Sequence, residues 1–506
     1  MNNRDLVVTI DVGTSSCKVL AFDLSGKRFA FGRSSYRNII DFTGRVEQDP
    51  DTWWTAFRSA AQLAGISRLS DRIAAVAVTS LRSAITAVDA KGRPLCLSIL
   101  APDKRAEREV RYITERIGEN ALYTKTGLRT SSYFSLPRML WLRNHAPQVY
   151  DRTAKFLSTQ DYLVFKLTGR MVTDLSQASR TLCLNVHTRT WDAEILEKVE
   201  IREELLPELV EPGQPIALIL KSISEDLQIP VVPVIAAGGD QMCASLGAGA
   251  LCHGSVSVNH GTGSFLESPV LEPALDNQKR YLCSIHVVPG HWIIECPMLV
   301  TGGLVEDQIR LLWGMKTDPS MALVEVFRKP GADDPRMSPV FLPYQAIATA
   351  PHWQPGLTGV LWGLRSFHNR RDIVRSLLEG ILFDLRRCMM ALPSKPEEIT
   401  VGGGLSSFAE FNQMQADILG LPVLSTEEVE NTSLGAAILA SVAVGLHGSG
   451  AVATEKMIHR ADTSRKFPIR EHQEFYSELM RRQETILGFA LAEAVINEDR
   501  PTGNTN

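Results

Sequence analysis

The chain opens the same way twice. Leu6-Val7-Val8-Thr9-Ile10 reads as a buried strand, Asp11-Val12-Gly13-Thr14-Ser15-Ser16 as a tight turn, and Lys18-Val19-Leu20-Ala21-Phe22-Asp23 as a second strand. A Ser25-Gly26 turn points to a third strand directly after. Far downstream, Ser255-Val256-Ser257-Val258-Asn259 runs into His260-Gly261-Thr262-Gly263-Ser264 and then Phe265-Leu266-Glu267, with another hairpin around Pro289-Gly290. A β-meander begun twice implies two sheets and two halves. The junction falls at Gly247-Ala248-Gly249-Ala250, and the absence of a Ser/Pro/Gly-rich linker there predicts halves that pack together. Length agrees, since 506 residues are too many for one compact core.

Between the meanders, helical and strand patterns alternate. Trp53 to Ala64 follows an Asp49-Pro50-Asp51 start and precedes the apolar run Ile73 to Val78, which is α/β wiring. The second half carries an amphipathic helix from Asp372 to Leu392, a strand at Ile399-Thr400-Val401 and the glycine turn Gly402-Gly403-Gly404. A helix from Phe408 to Leu419, a strand at Pro422-Val423-Leu424 and a small-residue helix from Leu434 to Val444 follow. A charged helix over Glu471 to Asn497 is expected to pack outside, and Asp499 to Asn506 to fray.

Composition removes several function classes. A net charge of −4 offers no basic field for a phosphate backbone, so no nucleic-acid partner is expected. No run of about 18 apolar residues occurs, which argues against a membrane span. The start Met1-Asn2-Asn3-Arg4-Asp5 leads into a strand instead of a signal-peptide core, so a cytoplasmic location is expected. The eight cysteines are dispersed with no C-x-x-C pair and read as reduced, mostly buried thiols. Zincin, P-loop, α/β-hydrolase and EF-hand motifs are absent.

The remaining chemistry sits at turns. A strand ending in Asp-x-Gly-Thr-Ser presents backbone amides and two hydroxyls where glycine lets a phosphate come close, so Gly13, Thr14 and Ser15 suit phosphate oxygens. Asp11 suits Mg²⁺ held through water. The same motif is also an ordinary turn, but the second turn, Gly261-Thr262-Gly263-Ser264, has the same chemistry. Gly238-Gly239-Asp240-Gln241 places Asp240 at a strand-to-helix turn, where a carboxylate either accepts a substrate proton or caps the helix. Gly402-x-Gly404 suggests a dinucleotide turn, but Ser407 stands where the third glycine or alanine belongs.

Asp11 to Asp23, Gly238 to Gly249, Asn259 to Phe265 and Gly402 to Val423 occur in the order and spacing of the FGGY carbohydrate kinases, within the actin, hexokinase and heat-shock chaperone superfamily. Tyr133-Phe134-Ser135-Leu136-Pro137-Arg138-Met139-Leu140-Trp141-Leu142 resembles the family's first signature, with Arg138 where lysine is usual. Gly359 to Leu364, followed by Asp372-Ile373 and Ser376 to Glu379, resembles the second, departing at Leu377. The resemblance implies an α/β fold of two ribonuclease-H-like domains around a deep cleft. It divides the chain into a mainly sugar-binding domain at 1–248, a mainly ATP-binding domain at 249–460 and a C-terminal helix with a tail at 461–506. Asp240 falls on the general base and Asp11 on the magnesium-side carboxylate. Gly13, Thr14, Ser15, Gly261 and Thr262 fall on the phosphate cradles, Gly302 on a further nucleotide contact, and Gly403, Gly404 and Asn412 on the adenosine pocket. The implied cofactors are ATP and Mg²⁺, and the implied partner is a small sugar or polyol; a homodimer is admitted.

Acceptor identity is mixed. Ser80-Leu81-Arg82-Ser83-Ala84 and Asp103-Lys104-Arg105 fall where xylulose kinases resemble Gly-Gln-Met-His-Gly and Trp-x-Asp-x-Arg, so Arg82, Ser83 and Ala101 replace methionine, histidine and tryptophan. Arg82, Tyr133, Gln241 and Phe265 resemble glycerol kinases, and autoinducer kinases have Ser-Met-Arg near Arg82. Arg82, Ser83, Asp103, Tyr133, Asp240 and Gln241 are therefore the expected acceptor contacts, with Ala101 leaving extra space. Arg82 alternatively pairs with a carboxylate such as Asp103. The leading expectation is a xylulose kinase-like enzyme, with glycerol or autoinducer kinase as alternatives. A non-catalytic, nucleotide-dependent sugar sensor is the alternative of another class.

Overall fold

In a computed structural model of the chain, residues 4–498 are described except for 329–333, 346–347, 355, 427, 429 and 461–464. The expected frayed stretch from Asp499 onward lies outside the described residues. Strand β1 (Leu6–Val12) is buried along its whole length, as a central strand covered on both faces must be. It turns back into β2 (Ser16–Phe22), which pairs with β3 (Arg28–Ser35), completing an antiparallel meander. Helix α1 (Pro50–Ala64) carries the chain to β4 (Ile73–Ser80), which joins β1 in parallel. This helix starts where the Asp49 carboxylate accepts the Asp51 N–H and Pro50 fills the first turn; it stops at left-handed Gly65.

The connection beyond β4 holds α2 (Ser135–His145), packed in its own apolar cluster with Phe134, Phe156 and Leu182. β5 (Pro215–Leu218) and β6 (Pro233–Gly239) complete the first sheet in the order β5-β6-β4-β1-β2-β3. Helix α3 (Asp240–Gly247) leaves directly from β6.

The second sheet repeats the plan. β7 (Val256–His260) and β8 (Ser264–Val270) pair antiparallel; β9 (Leu282–Ile285) and β10 (Trp292–Met298) extend the meander beyond β8. Helices α4 (Gly302–Trp313) and α5 (Arg370–Ala391) follow, the latter opened by an Asn369–Asp372 capping box. β11 (Ile399–Gly403) then lies parallel to β7. A single 3₁₀ turn at Leu405–Ser407 separates β11 from α6 (Ala409–Leu419), which begins within one residue of the expected start at Phe408. β12 (Val423–Ser425), α7 (Asn431–Ala443), the short β13 (Arg465–Lys466) and the outer α8 (Arg470–Glu498) finish the fold. The order β9-β10-β8-β7-β11-β12-β13 again places an antiparallel meander beside two parallel strands.

Two central helices join the sheets. A Cβ on Gly247 of α3 would lie 2.0 Å from the Asn431 carbonyl oxygen, and one on Gly435 of α7 would lie 1.9 Å from that of Cys243. α3 and α7 therefore touch backbone to backbone. Met242, Leu246, Leu434 and Ile438 pack with Val7, Leu20 and Ala75 of the first sheet around that crossing. All eight cysteines are free, and among the described residues no helix is long and apolar enough to cross a membrane.

Candidate active site

Each meander delivers an exposed turn. After β1, Thr14 and Ser15 are exposed while their backbone is held from behind. The Tyr36 hydroxyl donates to the Gly13 carbonyl at 2.6 Å, Gln48 Nε2 to the Thr14 carbonyl at 2.9 Å, and the Tyr36 N–H to the Ser15 carbonyl at 2.9 Å. With the carbonyls engaged, the turn is fixed and the two side chains face outward. After β7, Gly261 and Thr262 are likewise exposed. The Thr262 carbonyl accepts from the N–H groups of Thr301 and Gly303, each at 3.0 Å, so this turn is locked onto the N-terminus of α4, where Gly302 begins the helix.

Asp11 lies in β1 opposite Lys18 of β2. Burial pushes its carboxyl up to about 7; Lys18 pulls it down, and Asp240 and Glu430 add to the rise. Lys18 itself donates to Glu430 of the second half at 2.5 Å. A buried carboxylate that shares its neighbour Lys18 with Glu430 and feels a second carboxylate, Asp240, suits a hard dication bound through water. Among the described residues, no cluster of three or more His, Cys, Asp or Glu forms a complete metal cage.

Asp240 begins α3 but does not cap it: the N-cap position is Gly239, and among the described residues the Asp240 carboxylate accepts only the neighbouring Gln241 N–H, at 2.7 Å. Its side chain keeps 21% exposure. Burial raises its pKa from the ordinary aspartate value, with Arg82 acting in the opposite direction. Arg82 Nε stands 3.8 Å from Asp240 Oδ1. Gly239 permits this approach, because a Cβ there would lie 2.4 Å from Arg82 Cδ. Gln241 accepts from Asn259 Nδ2 of the second sheet at 3.2 Å, so the helix start is tied across the two halves.

The Arg82 surroundings differ from the sequence expectation. Its Nη1 donates to Glu295 of β10, and Arg180 Nη1 donates to the other oxygen of the same carboxylate at 2.9 Å. Asp103 pairs with Arg105 and not with Arg82. Its fully buried carboxylate accepts from the Val46 N–H at 2.7 Å and from Arg105 N, Nε and Nη2 at 2.9, 2.8 and 2.7 Å, so both oxygens are engaged, by Arg105 beside it and by the distant Val46 backbone. Ala101 is buried in the same loop, at 8% exposure. Ser83 is buried in a left-handed conformation at φ +64°, its carbonyl accepting from Arg138 Nη2 at 2.5 Å. Arg138 also donates to the carbonyls of Phe134, Ile99 and Tyr133, at 3.2, 3.2 and 2.7 Å. The residue standing at the signature's usual lysine thus braces the Ser83 and Tyr133 loops. Half-buried Tyr133 lies under Arg180, whose guanidinium carbon is 5.9 Å from the ring centre.

Around the turns after β7 and β11, a buried polar chain emerges that sequence did not suggest. Thr301 Oγ1 meets Ser264 Oγ at 2.7 Å, Ser264 Oγ meets His260 Nδ1 at 2.8 Å, and His260 Nε2 meets Gln415 Oε1 at 2.9 Å. Gln415 Nε2 donates to Asn412 Oδ1 at 3.3 Å, and Asn412 Nδ2 donates to the Ser406 carbonyl at 2.8 Å. Burial depresses His260 to about 4 against the Gln415 hydrogen bond, leaving a neutral ring at physiological pH. The chain connects the Thr262 turn to the segment after Gly403 and Gly404, of which Gly404 is exposed. Asn412 is an internal brace of that segment.

The comparisons with known proteins cover both halves. The family model for the N-terminal domain of the FGGY family of carbohydrate kinases matches residues 6–247, and that for its C-terminal domain matches residues 256–444. A glycerol kinase of Deinococcus radiodurans is 29% identical over 95% of this chain and 97% of its own length. A xylulose kinase of Lactococcus lactis is 28% identical over 90% of this chain and 92% of its own. The crystal structure of gluconate kinase from Lactobacillus acidophilus superposes with a TM-score of 0.88 at 26% identity, over 96% of this chain and 98% of that one. Matched through both halves, the chain belongs to the FGGY family of carbohydrate kinases, phosphotransferases whose acceptor is an alcohol group.

Proposed function

We propose that this kinase transfers the γ-phosphoryl group of ATP to a hydroxyl of a small ketose or polyol, with Asp240 as general base. The carrying observation is the position of Asp240: partly exposed, uninvolved in capping, and 3.8 Å from Arg82. Burial raises its affinity for a proton, while Arg82 keeps the carboxylate form accessible. Arg82, with Tyr133 and Gln241 beside it, orients the acceptor. Thr14, Ser15 and Thr262 offer hydroxyls, and their turns offer amides, to the phosphates; Gly404 leaves open space for the nucleotide. Mg²⁺, held by Asp11 through water, would supply charge neutralisation for the transferring group. The mixed acceptor pattern favours a xylulose- or glycerol-sized substrate. The free cysteines fit work in a reducing cytoplasm.

The test is acceptor-dependent ADP release by the wild type and by Asp240→Asn. The amide keeps the shape but accepts no proton, so turnover falls by about 10²-fold or more while ATP-induced melting shifts persist. Turnover close to wild type excludes the base assignment. ATP consumption indifferent to every added sugar favours a sensor instead.

A further inference from the structure

Two arginines face the acceptor side of Asp240, and both are already engaged. Glu295 takes Arg82 on one carboxylate oxygen and Arg180 on the other, and Ser284 Oγ adds a third donor at 2.6 Å. The three charged side chains are almost wholly buried, at 3%, 2% and 1% exposure for Arg82, Arg180 and Glu295. Glu295 reaches them from the second sheet, across the boundary between the halves.

We propose that Glu295 is a specificity-determining residue: by neutralising Arg82 and Arg180 it matches the acceptor subsite to uncharged polyols and ketoses and excludes sugar acids. The inference rests on the kinase reading of this site. Arginine is the side chain best suited to grip a carboxylate, but here Glu295 takes the Nη1 of each guanidinium and offsets charge, leaving their other N–H groups to meet uncharged hydroxyls. Counting the cluster, two guanidinium groups face two carboxylates, Glu295 and Asp240. Glu267, opposite Glu295 in the β8–β10 ladder, is pushed up to about 8 by burial and by Glu295, so it stays protonated near neutral pH and leaves that balance intact. An aldonate would bring an unpaired negative charge into this buried setting, where such a charge is costly. Hydroxyls bring none.

The test uses four- to six-carbon polyols, each paired with the aldonate of the same configuration, on the full-length enzyme. Ligand-induced melting reads affinity without turnover, and ADP release reads transfer. In the wild type, the best polyol should bind about ten-fold or more tightly than its aldonate. Glu295→Gln leaves one positive charge in excess and should narrow that ratio by about ten-fold, whereas Glu295→Asp should retain it. A purely structural role would weaken both members of a pair alike, and that result overturns the proposal. So does an aldonate equal to its polyol in the wild type, or a panel without an uncharged binder, even if Glu295→Gln does not fold. Failure of the kinase reading looks different: the polyol preference persists in melting, but no acceptor releases ADP.

Discussion

Glu267 and Glu295 lie directly opposite each other on β8 and β10, and both feel Arg82 and Arg180, yet among the described residues it is Glu295 that accepts their hydrogen bonds. Burial works against ionisation of Glu295, but Arg180 and Arg82 together hold it at about 2. Glu267 keeps a buried Oε1 without a hydrogen-bond partner and titrates at about 8, against 4.5 for an ordinary glutamate. Between those two values the native chain keeps a proton that the unfolded chain has lost. The stabilisation is complete below 4.5 and disappears as pH rises through about 8. The slope reaches at most about 1.4 kcal/mol per pH unit. Glu267→Gln should therefore show a smaller loss of urea midpoint than the wild type between about pH 5.5 and pH 8.5. Parallel losses in the two proteins would place the titration elsewhere.

Arg82→Met removes one of the two cations beside Asp240 while keeping an unbranched apolar stem. A lost charge-assisted hydrogen bond costs about 1.5 to 3 kcal/mol, so acceptor affinity should drop about ten- to a hundred-fold and ATP affinity far less. Calorimetry or melting shifts with each ligand separate the two effects. Equal losses for both would make Arg82 a structural residue.

His260 is the middle of the buried chain from Thr301 to Asn412. His260→Leu leaves the Ser264 hydroxyl and the Gln415 carbonyl without this partner, at about 1 to 3 kcal/mol for each buried group. Because the chain braces the Thr262 turn and the Gly403–Gly404 segment, ADP affinity should fall more than polyol affinity. Thermal unfolding with and without ADP tests it; a loss of stability with unchanged ADP affinity would confine the chain to folding.

Arg138→Lys restores the residue usual in the first family signature, yet it should harm this protein. Four carbonyls converge on the guanidinium, and an ammonium has three donors on a single point. The left-handed Ser83 would lose part of its support, so melting temperature and acceptor affinity should both decrease, with ADP affinity spared. An unchanged melting temperature would show that the loop is held by other means.

Asp11, Asp240 and Thr262 could be picked out from sequence because each sits where a strand ends in a turn, and that pattern is written in adjacent residues. Glu295 and Arg180 could not, since the pair is 115 positions apart and each lies within a structured segment. One signal was present: a glutamate between apolar neighbours in Trp292-Ile293-Ile294-Glu295-Cys296 has to find a cation once that strand is buried. Asp103 misled for the opposite reason. Its partner, Arg105, was two residues away, and local pairing of a carboxylate is invisible in a motif that treats both residues as ligands.

The crossing of α3 and α7 is made of peptide groups with no side chains between them, so it has no rotamers through which to yield. Sliding one helix along the other would drive a carbonyl into a Cα hydrogen, whereas turning about the point of contact would preserve it. A methyl added at either glycine would therefore wedge the two halves apart at their joint, which the ion pairs from Lys18 to Glu430 and from Arg82 to Glu295 also span.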